Sequence, residues 1–268
     1  MTHAPEPAPC LAIDTSTDVL SLALSDLDGR VWRHQGAGGA QASAQLLPAL
    51  GELLAQAGLR GTELACIAMG RGPGAFTGLR TTCAVVQGLA YGWRSAERPH
   101  GVPVLPIDSL LALAEEAAAP TDTPSAPRWT RVLSVLDARM DEVYVAAYEW
   151  ADGAWTTRVP SALCAPADVA ALVQTQLPDW AQALQAGDAH TGCAGNAWAV
   201  YPQALATLSG ARRVALPSAD ALLRLAPAAW RAGQAVPAAD ALPLYVRDKV
   251  AFTTAEREAG LHKAAARP

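Results

Sequence analysis

Lysine is almost absent from this chain, and positive charge as a whole is in short supply. Lys249 and Lys263 are the two lysines, and 25 acidic residues outnumber 20 basic ones, which gives a formal net charge of -5. Such a chain has no general excess of positive charge with which to attract a polyanion. The composition therefore argues against a protein that binds nucleic acid on its own.

Paired cysteines, a signal sequence and long apolar runs are also missing. The five cysteines are odd in number and show no CxxC spacing, so neither a disulfide framework nor a zinc knuckle is predicted. The first ten residues, MTHAPEPAPC, lack the basic and apolar regions of a signal peptide, and no window reaches the roughly 18 apolar residues of a membrane span. These absences predict a cytoplasmic, globular protein that does not contact a membrane.

The histidines offer no metal site. Five are present, and no two are three or four positions apart, which is the spacing that places two ligands on one helix face. An HExxH motif is missing too. The sequence therefore predicts no metal centre and gives a metallopeptidase almost no support.

What the chain does have is a regular order of strands and helices that is interrupted once. Through residue 119 the patterns predict the order β-β-β-α-β-α-β-α, which defines an N-terminal lobe over residues 1–119. Residues 120–128, PTDTPSAPR, are a predicted linker because proline and small polar residues replace the periodic pattern. Residues 129–268 are a predicted C-terminal lobe, whose last segment we expect to return toward the first lobe.

The predicted second lobe opens as the first one does, with a strand, a short polar turn and a second strand over 131–150. Further along the chain the patterns are weaker. They predict a helix near 166–176, a strand and turn at 191–196, a helix near 197–207, a helix over 218–231 and an extended segment over 241–251.

Two acidic turns occupy corresponding places in the two halves. DTST at 14–17 and DARM at 137–140 each follow a strand. In the duplicated fold of actin, hexokinase and Hsp70, such turns hold a phosphate or its metal. Asp14, Ser16 and Asp137 are therefore candidate nucleotide-binding residues. Neither turn contains the glycine that close approach to a phosphate usually needs, so a purely structural role as turn caps stays open.

A glycine-rich stretch, GRGPGAFTGLR, separates a predicted strand from a predicted helix. It lacks the lysine of a Walker A loop. Gly72, Pro73 and Gly74 predict a tight structural turn, and Gly78 predicts a close contact. The alternative is an anion held at the N-terminus of the helix, and the motif alone does not choose between the two.

The helix predicted over 76–93 carries two stripes. One repeats at the spacing of a coiled-coil seam and consists of Phe76, Leu79, Cys83, Val86, Ala90 and Trp93. The other is made mostly of small residues, namely Gly78, Thr81, Val85, Gly88 and Gly92. The first pattern suits packing of large side chains, and the second suits close approach of another backbone.

Several segments, in this order, resemble the TsaB (YeaZ) family of bacterial tRNA threonylcarbamoyladenosine biosynthesis proteins. They are LAIDTSTDVLSLAL, QLLPALGELLAQAG, GRGPGAFTGLRTTCAVVQGLAYG, DARMDEVYVAAY and the later PLYVRDKVA. The resemblance covers most of the chain and is weakest over 151–216. It implies an α/β, two-lobed, actin-like ATPase fold of the ASKHA class.

The resemblance also implies a function. It predicts a non-catalytic subunit that stabilises and positions TsaD, the subunit that transfers the threonylcarbamoyl group to adenosine 37 of tRNA, and that docks the ATPase TsaE. It implies a homodimer when TsaD is absent, contact with tRNA only through the complex, and no cofactor of its own, because ATP, ADP and a metal belong to the partner subunits. The two histidines that bind the TsaD metal correspond here to Ser109 and Leu113.

By the same resemblance, the helices over 43–57 and 76–93 form the partner surface. The candidate interface residues are Leu46, Leu50, Leu53, Gly78, Thr81, Val85, Gly88 and Gly92. Family members often have a histidine shortly before the LLP run, whereas AQASAQ has none here.

A second hypothesis from another functional class stays open. The chain would be an actin-like ATPase or phosphotransferase that uses Asp14 and Asp137 around a magnesium nucleotide. The paired acids favour this hypothesis, and the glycine-poor turns and the lack of an evident catalytic base oppose it.

Overall fold

Two five-stranded sheets form the centre of the protein, whose computed structural model describes residues 8–119 and 127–247. The first sheet has the order β3-β2-β1-β4-β5 and consists of β1 (Cys10–Asp14), β2 (Val19–Ser25), β3 (Val31–Ala37), β4 (Cys66–Gly72) and β5 (Val104–Asp108). The second has the order β10-β9-β6-β7-β8 and consists of β6 (Arg131–Arg139), β7 (Glu142–Ala151), β8 (Ala154–Cys164), β9 (Thr191–Ala194) and β10 (Ala211–Arg213).

The second sheet repeats the pairing of the first strand by strand. In each sheet the first three strands form an antiparallel meander, and the other two strands add in parallel beside the first one. Parallel neighbours need a crossover, and helices supply it in both sheets. The predicted two-lobed, duplicated α/β fold of the actin-like class is therefore confirmed.

Seven α-helices surround the two sheets in the described part of the chain. They are α1 (Ala42–Ala57), α2 (Phe76–Gly92), α3 (Ser109–Ala118), α4 (Val169–Gln176), α5 (Pro178–Ala186), α6 (Ala197–Val200) and α7 (Ala219–Arg231). Helix α1 ends at Gly58, whose left-handed conformation (φ 66°) lets its N–H reach the carbonyls of Leu54 and Ala55. No helix in the described ranges is both long and apolar enough to cross a membrane.

The weakly patterned region holds more structure than its sequence predicted. Strand β8, helix α5 and strand β10 were not predicted, and the helix expected near 197–207 ends at Val200. Strand β8 lies at the edge of its sheet, where Pro160 is tolerated because no further strand needs its N–H. A proline inside a strand is a poor strand signal, which is why the pattern missed β8.

Helix α7 follows the second sheet in sequence but packs on the first. Its Leu222 and Ala226 share a buried cluster with Ala12 of β1 and Ala68 of β4. The helix begins at the predicted N-cap Ser218, whose hydroxyl accepts the N–H of Ala221 at 3.0 Å. The range 129–268 predicted for the second lobe therefore includes a helix that completes the first.

A buried carboxylate on α3 joins the two lobes. Glu115 of α3 is 4% exposed and accepts hydrogen bonds from Arg128 at 2.6 Å, Arg224 of α7 at 3.0 Å and the indole of Trp155 at 2.8 Å. Arg128 is the last residue of the predicted linker, of which residues 120–126 lie outside the described residues. The linker thus ends in a charged network that ties α3, α7 and β8 together.

Candidate functional site

The glycine-rich loop covers the first acidic turn, 14–17, which is buried throughout. A Cβ atom placed on Gly74 would lie 2.3 Å from the carbonyl oxygen of Ser16, and one on Gly78 would lie 1.8 Å from that of Thr15. The hydroxyl of Thr15 donates to the carbonyl of Gly78 at 2.7 Å. The glycines are therefore required for backbone contact with this turn, so the mechanical interpretation of the loop is the one the structure supports.

Asp14 has its hydrogen bonds within the first lobe. Its Oδ1 accepts the N–H of Ser16 at 2.9 Å and the Ser16 hydroxyl at 2.8 Å, and the Ser109 hydroxyl is 3.5 Å from its Oδ2. Burial raises the pKa of this carboxyl, an effect that the bonds from Ser16 and Ser109 partly oppose. A Cβ on Gly70 would lie 1.8 Å from Oδ2, so Gly70 makes the room in which this carboxyl sits.

Ser109 and Leu113, the two positions where the resemblance would place metal-binding histidines, have side chains that do not fit a metal. Ser109 is fully buried and its hydroxyl accepts the N–H of Gly72 at 3.1 Å. Leu113 is also fully buried and lies in an apolar cluster between α3 and the second sheet. Within residues 8–119 and 127–247, no group of three or more His, Cys, Asp or Glu side chains is arranged to hold a metal ion.

The second acidic turn has an unusual backbone. Arg139, Met140 and Asp141 all have left-handed conformations, with φ values of 62°, 57° and 58°. For residues other than glycine this conformation costs on the order of 1–2 kcal/mol each, less for Asp. Such a run persists only where the surrounding contacts hold it.

Asp137 helps to hold this turn. Its Oδ1 accepts the Tyr201 hydroxyl at 2.9 Å and the N–H of Arg139 at 2.9 Å. Its own N–H donates to the side-chain oxygen of Asn196 at 2.8 Å. The carboxylate is thus engaged in supporting the turn, which is a structural role.

A cleft of about 250 Å³ lies between the two turns. It is lined by Ser16, Thr17, Asp18, the 74–76 segment before and at the start of α2, 136–140, Tyr144, Asn196, Leu216 and Arg247. Ligand pockets are usually larger, roughly 300–1,000 Å³. Asp14 is not among the lining residues, so the structure brings Ser16 and Asp137 to the cleft and leaves Asp14 out of it. The assignment of these three residues to nucleotide binding stays a prediction, and the first carboxylate is bonded within the turn beneath the loop.

Two arginines lie at the rim of this cleft. Arg139 reaches Asp18 of the first lobe at 2.7 Å, and both side chains are largely exposed. The side chain of Arg247 is only 10% exposed; it donates to the carbonyls of Ala138 at 3.0 Å and Arg139 at 3.2 Å and pairs with Glu142 at 2.7 Å. Arg247 was not predicted, and the resemblance of PLYVRDKVA to the family was the one signal that pointed to it.

Half of the predicted partner residues are inside the protein. Leu46, Leu50 and Leu53 lie in the core of the first lobe, and Gly78 faces the first acidic turn. These four are therefore not on a surface, because the three leucines of α1 face their own sheet and Gly78 packs against the turn. Thr81, Val85, Gly88 and Gly92 lie wholly or partly at the surface.

The outward side of α1 and α2 presents a different set of residues. We call it the outer face and define it by Leu47, Pro48, Gly51, Glu52, Thr81, Ala84, Gly88, Tyr91 and Gly92. Leu47 is 53% exposed and Tyr91 is 58% exposed. A Cβ added to Gly51, Gly88 or Gly92 would have no neighbour within 4 Å. Leu47 and Tyr91 were missed because the sequence does not show which stripe of a helix faces its own sheet.

Comparison with known proteins places this architecture in a family. A model of the family TsaD, tRNA N6-adenosine threonylcarbamoyltransferase, matches residues 38–253. The tRNA threonylcarbamoyladenosine biosynthesis protein TsaB of Escherichia coli strain K12 is 32% identical over 247 residues, which are 90% of this chain and 96% of that protein. The TsaB of Haemophilus influenzae is 29% identical over 252 residues, 90% of this chain and 94% of its own.

Solved structures agree with this assignment. A Pseudomonas aeruginosa protein described as uncharacterized, with similarity to the peptidase YEAZ, is 37% identical and superposes with a TM-score of 0.73 over 89% of this chain and 99% of its own. The YeaZ structure from Pseudomonas aeruginosa is 36% identical, with a TM-score of 0.72 over 88% of this chain and 98% of its own. On the strength of the identity, the coverage and the shared fold, this chain belongs to the TsaB (YeaZ) family.

Proposed function

We propose that this protein acts in the biosynthesis of tRNA threonylcarbamoyladenosine, as its TsaB relatives are named to do. We further propose that it acts as a non-catalytic subunit whose outer face binds the catalytic subunit TsaD. One observation carries the second proposal: helices α1 and α2 together contain 33 residues, of which Glu52 and Arg80 are the charged ones.

A solvent-facing helix side normally carries charged and polar residues. Here the inward side of both helices fills the core, and the outward side offers small residues, proline, leucine and tyrosine. Depletion of charge with aromatic enrichment is the pattern of the centre of a protein interface. Glycine at Gly51, Gly88 and Gly92 lets a partner helix come close, and Leu47 and Tyr91 supply the area to be buried.

The residues at the family's reactive positions support the non-catalytic part of the proposal. Ser109 and Leu113 stand where the resemblance places the metal-binding histidines, and both are packed in the interior. Asp14 is bonded within its own turn beneath the loop. The competing ATPase hypothesis needs Asp14 at the cleft, and no contact of this residue favours it.

The remaining parts of the proposal follow from the resemblance. The TsaD-bound protein docks TsaE, tRNA is contacted through the complex, and the free protein pairs with a second copy when TsaD is absent. ATP, ADP and the metal belong to the partner subunits. A net charge of -5 agrees with a subunit that does not grip tRNA alone.

Light scattering after size-exclusion chromatography tests the interface, with the protein alone and mixed with TsaD from the same organism. Gly88→Trp places a bulky side chain on the outer face and is expected to abolish the complex while the melting temperature stays unchanged. Gly88→Ala is the matched control, since its Cβ has free space, and it is expected to keep most of the binding. An intact complex with Gly88→Trp would show that the outer face is not the docking surface.

Reconstituted tRNA modification tests the role itself. Omission of either protein is expected to stop threonylcarbamoyladenosine formation, and Gly88→Trp should reduce it as far as it reduces binding. ATP hydrolysis by this protein alone, lost in Asp14→Asn, would instead establish the ATPase hypothesis.

A further inference from the structure

The last described segment, residues 241–247, has no regular secondary structure yet touches both lobes. Ala241 belongs to the buried core cluster of the first lobe, whereas Val246 packs against the cluster formed by α3 and the second sheet. We propose that this segment, called here the strap, couples the position of α2 to the conformation of the β6–β7 turn. The proposal rests on contacts within the chain and does not depend on the proposed partner.

At its first end the strap is bonded to α2. The carbonyl of Ala241 accepts from the thiol of Cys83 at 3.1 Å and from the amide of Gln87 at 3.3 Å. Two donors bind this carbonyl in an apolar environment, so Ala241 has little freedom to move: its departure would leave polar groups without their hydrogen bonds.

In its middle the strap follows the N-terminal end of α2. The N–H of Leu244 donates to the carbonyl of Arg71 at 2.7 Å, just before the glycine-rich turn. The ring of Tyr245 lies 5.3 Å from that of Phe76, centroid to centroid, and its hydroxyl accepts from Arg80 at 3.3 Å. The strap is therefore attached to α2 from its third turn back to its first residue.

At its second end the strap holds the strained turn. Arg247 donates to the carbonyls of Ala138 and Arg139, and it pairs with Glu142 on the other side of the turn. These bonds lie at the start of the run of left-handed residues, which needs support from its surroundings to persist. The Arg247 side chain is only 10% exposed, so its bonds are less screened by water than those of an exposed pair.

The other link across the cleft is weaker. Arg139 and Asp18 form an ion pair whose side chains are 70% and 77% exposed. Exposed pairs contribute little because water and salt screen them. A displacement of α2 is therefore transmitted to the turn mainly through the strap. Because coupling free energies are reciprocal, a change in the turn also affects α2.

Hydrogen exchange of the full-length protein, followed by mass spectrometry, tests the coupling. Tyr245→Ala removes the tilted ring contact with Phe76 in the first lobe. We expect it to speed exchange by ~10-fold in peptides that cover 136–146 and in those at the start of α2. Arg247→Met removes the bonds between the other end of the strap and the turn, and it should speed exchange in the same two regions. Asp18→Asn is the control, since it breaks only the exposed pair, and it should change exchange in 136–146 by less than about 2-fold.

The decisive result is the effect at a distance. If Tyr245→Ala changes exchange in α2 alone while the turn keeps its protection, the strap does not couple the two regions and the proposal is wrong. If Arg247→Met unfolds the protein, Arg247→Lys replaces it, because a lysine keeps the charge beside Glu142 and loses the paired donors to the two carbonyls. Arg247→Lys should then accelerate exchange in both regions, and acceleration in the turn alone would likewise overturn the proposal.

Discussion

In the first lobe, the turn after β1 lies beneath the glycine-rich loop, and Asp14 and Thr15 are fully buried. In the second lobe, the corresponding turn after β6 borders the cleft, and the Arg139 side chain is largely exposed. The first turn is held by close backbone contacts that glycines allow. The second turn is held by side chains that bond to a strained backbone. Identical strand order has therefore not produced identical chemistry at the two strand ends.

This difference bears on what an acidic residue at such a position does. Asp14 is shielded by its own lobe, whereas Asp137 reaches the cleft but is engaged with Tyr201 and the turn. A nucleotide site of the actin-like kind needs both turns open toward one cleft. Here the carboxylate of Asp14 is held beneath the loop, away from the cleft, and that of Asp137 is engaged in supporting its own turn.

Gly78→Ala should have the largest effect, because it attacks the packing of the first turn. The new Cβ would lie 1.8 Å from the carbonyl oxygen of Thr15. We expect a loss of about 3 kcal/mol in the free energy of unfolding, measured by urea denaturation. Gly88→Ala in the same helix is the control and should gain about 0.5–1 kcal/mol, since nothing lies within 4 Å of its Cβ. If both changes altered the unfolding free energy equally, Gly78 would not be required for contact with the first turn.

Asp14→Asn tests whether burial of this carboxyl makes the protein less stable as the pH rises. Burial raises the pKa of Asp14 above 3.8, so the folded protein holds the proton more tightly than the unfolded chain. The stability that this group contributes is therefore complete below pH 3.8 and is lost as the pH rises through the folded-state pKa. Asparagine removes this loss and still accepts the bonds from Ser16.

The measurement is the unfolding free energy of both proteins between about pH 4 and about pH 7. The wild type should lose stability relative to Asp14→Asn over this window. A gain of the wild type over the variant with rising pH would mean that the ionised carboxylate stabilises the first turn.

Tyr201→Phe addresses the second turn. The change removes the hydroxyl that donates to Asp137 at 2.9 Å. We expect a loss of about 1 kcal/mol in thermal or urea unfolding, because a hydrogen bond to a partly buried carboxylate is lost. Tyr91→Phe, at an exposed position of α2, should be neutral in the same assay. A neutral Tyr201→Phe would show that the turn does not depend on Asp137 being held.

Met140→Asn should have the smallest effect on the unfolding free energy, and it should stabilise the protein where Gly78→Ala and Tyr201→Phe destabilise it. Met140 has a φ of 57° and is 42% exposed. Asparagine adopts this conformation more readily than methionine, so we expect a gain of about 0.5 kcal/mol in unfolding free energy. Met140→Val is the matched contrast and should lose stability, because a β-branched residue is poorly suited to positive φ. The Met140 sulfur also accepts from Arg247 at 2.8 Å. A loss of stability with asparagine would show that this contact outweighs the backbone preference.

Much of the fold was predictable because its signals are local. Helix α1 was expected over 43–57 and runs over Ala42–Ala57, and α2 was expected over 76–93 and runs over Phe76–Gly92. The site was less predictable. The small-residue stripe was identified, but Leu46, Leu50 and Leu53 were assigned to a surface although they fill the core. An amphipathic helix reveals an apolar side, and it does not reveal whether its own sheet or another protein covers that side.

By itself, the amino-acid sequence determined the strand order of the first lobe and the two strands that open the second, since periodicity and turn chemistry act over a few neighbouring residues. Its motifs, through their resemblance to known proteins, pointed to the family. Tertiary structure alone decided that the carboxylate of Asp14 is buried beneath the loop whereas that of Asp137 borders the cleft. The bond between Thr15 and Gly78 joins residues 63 positions apart, and the one between Arg247 and Ala138 spans 109. No local pattern encodes such contacts, because they exist only when packing brings distant segments together.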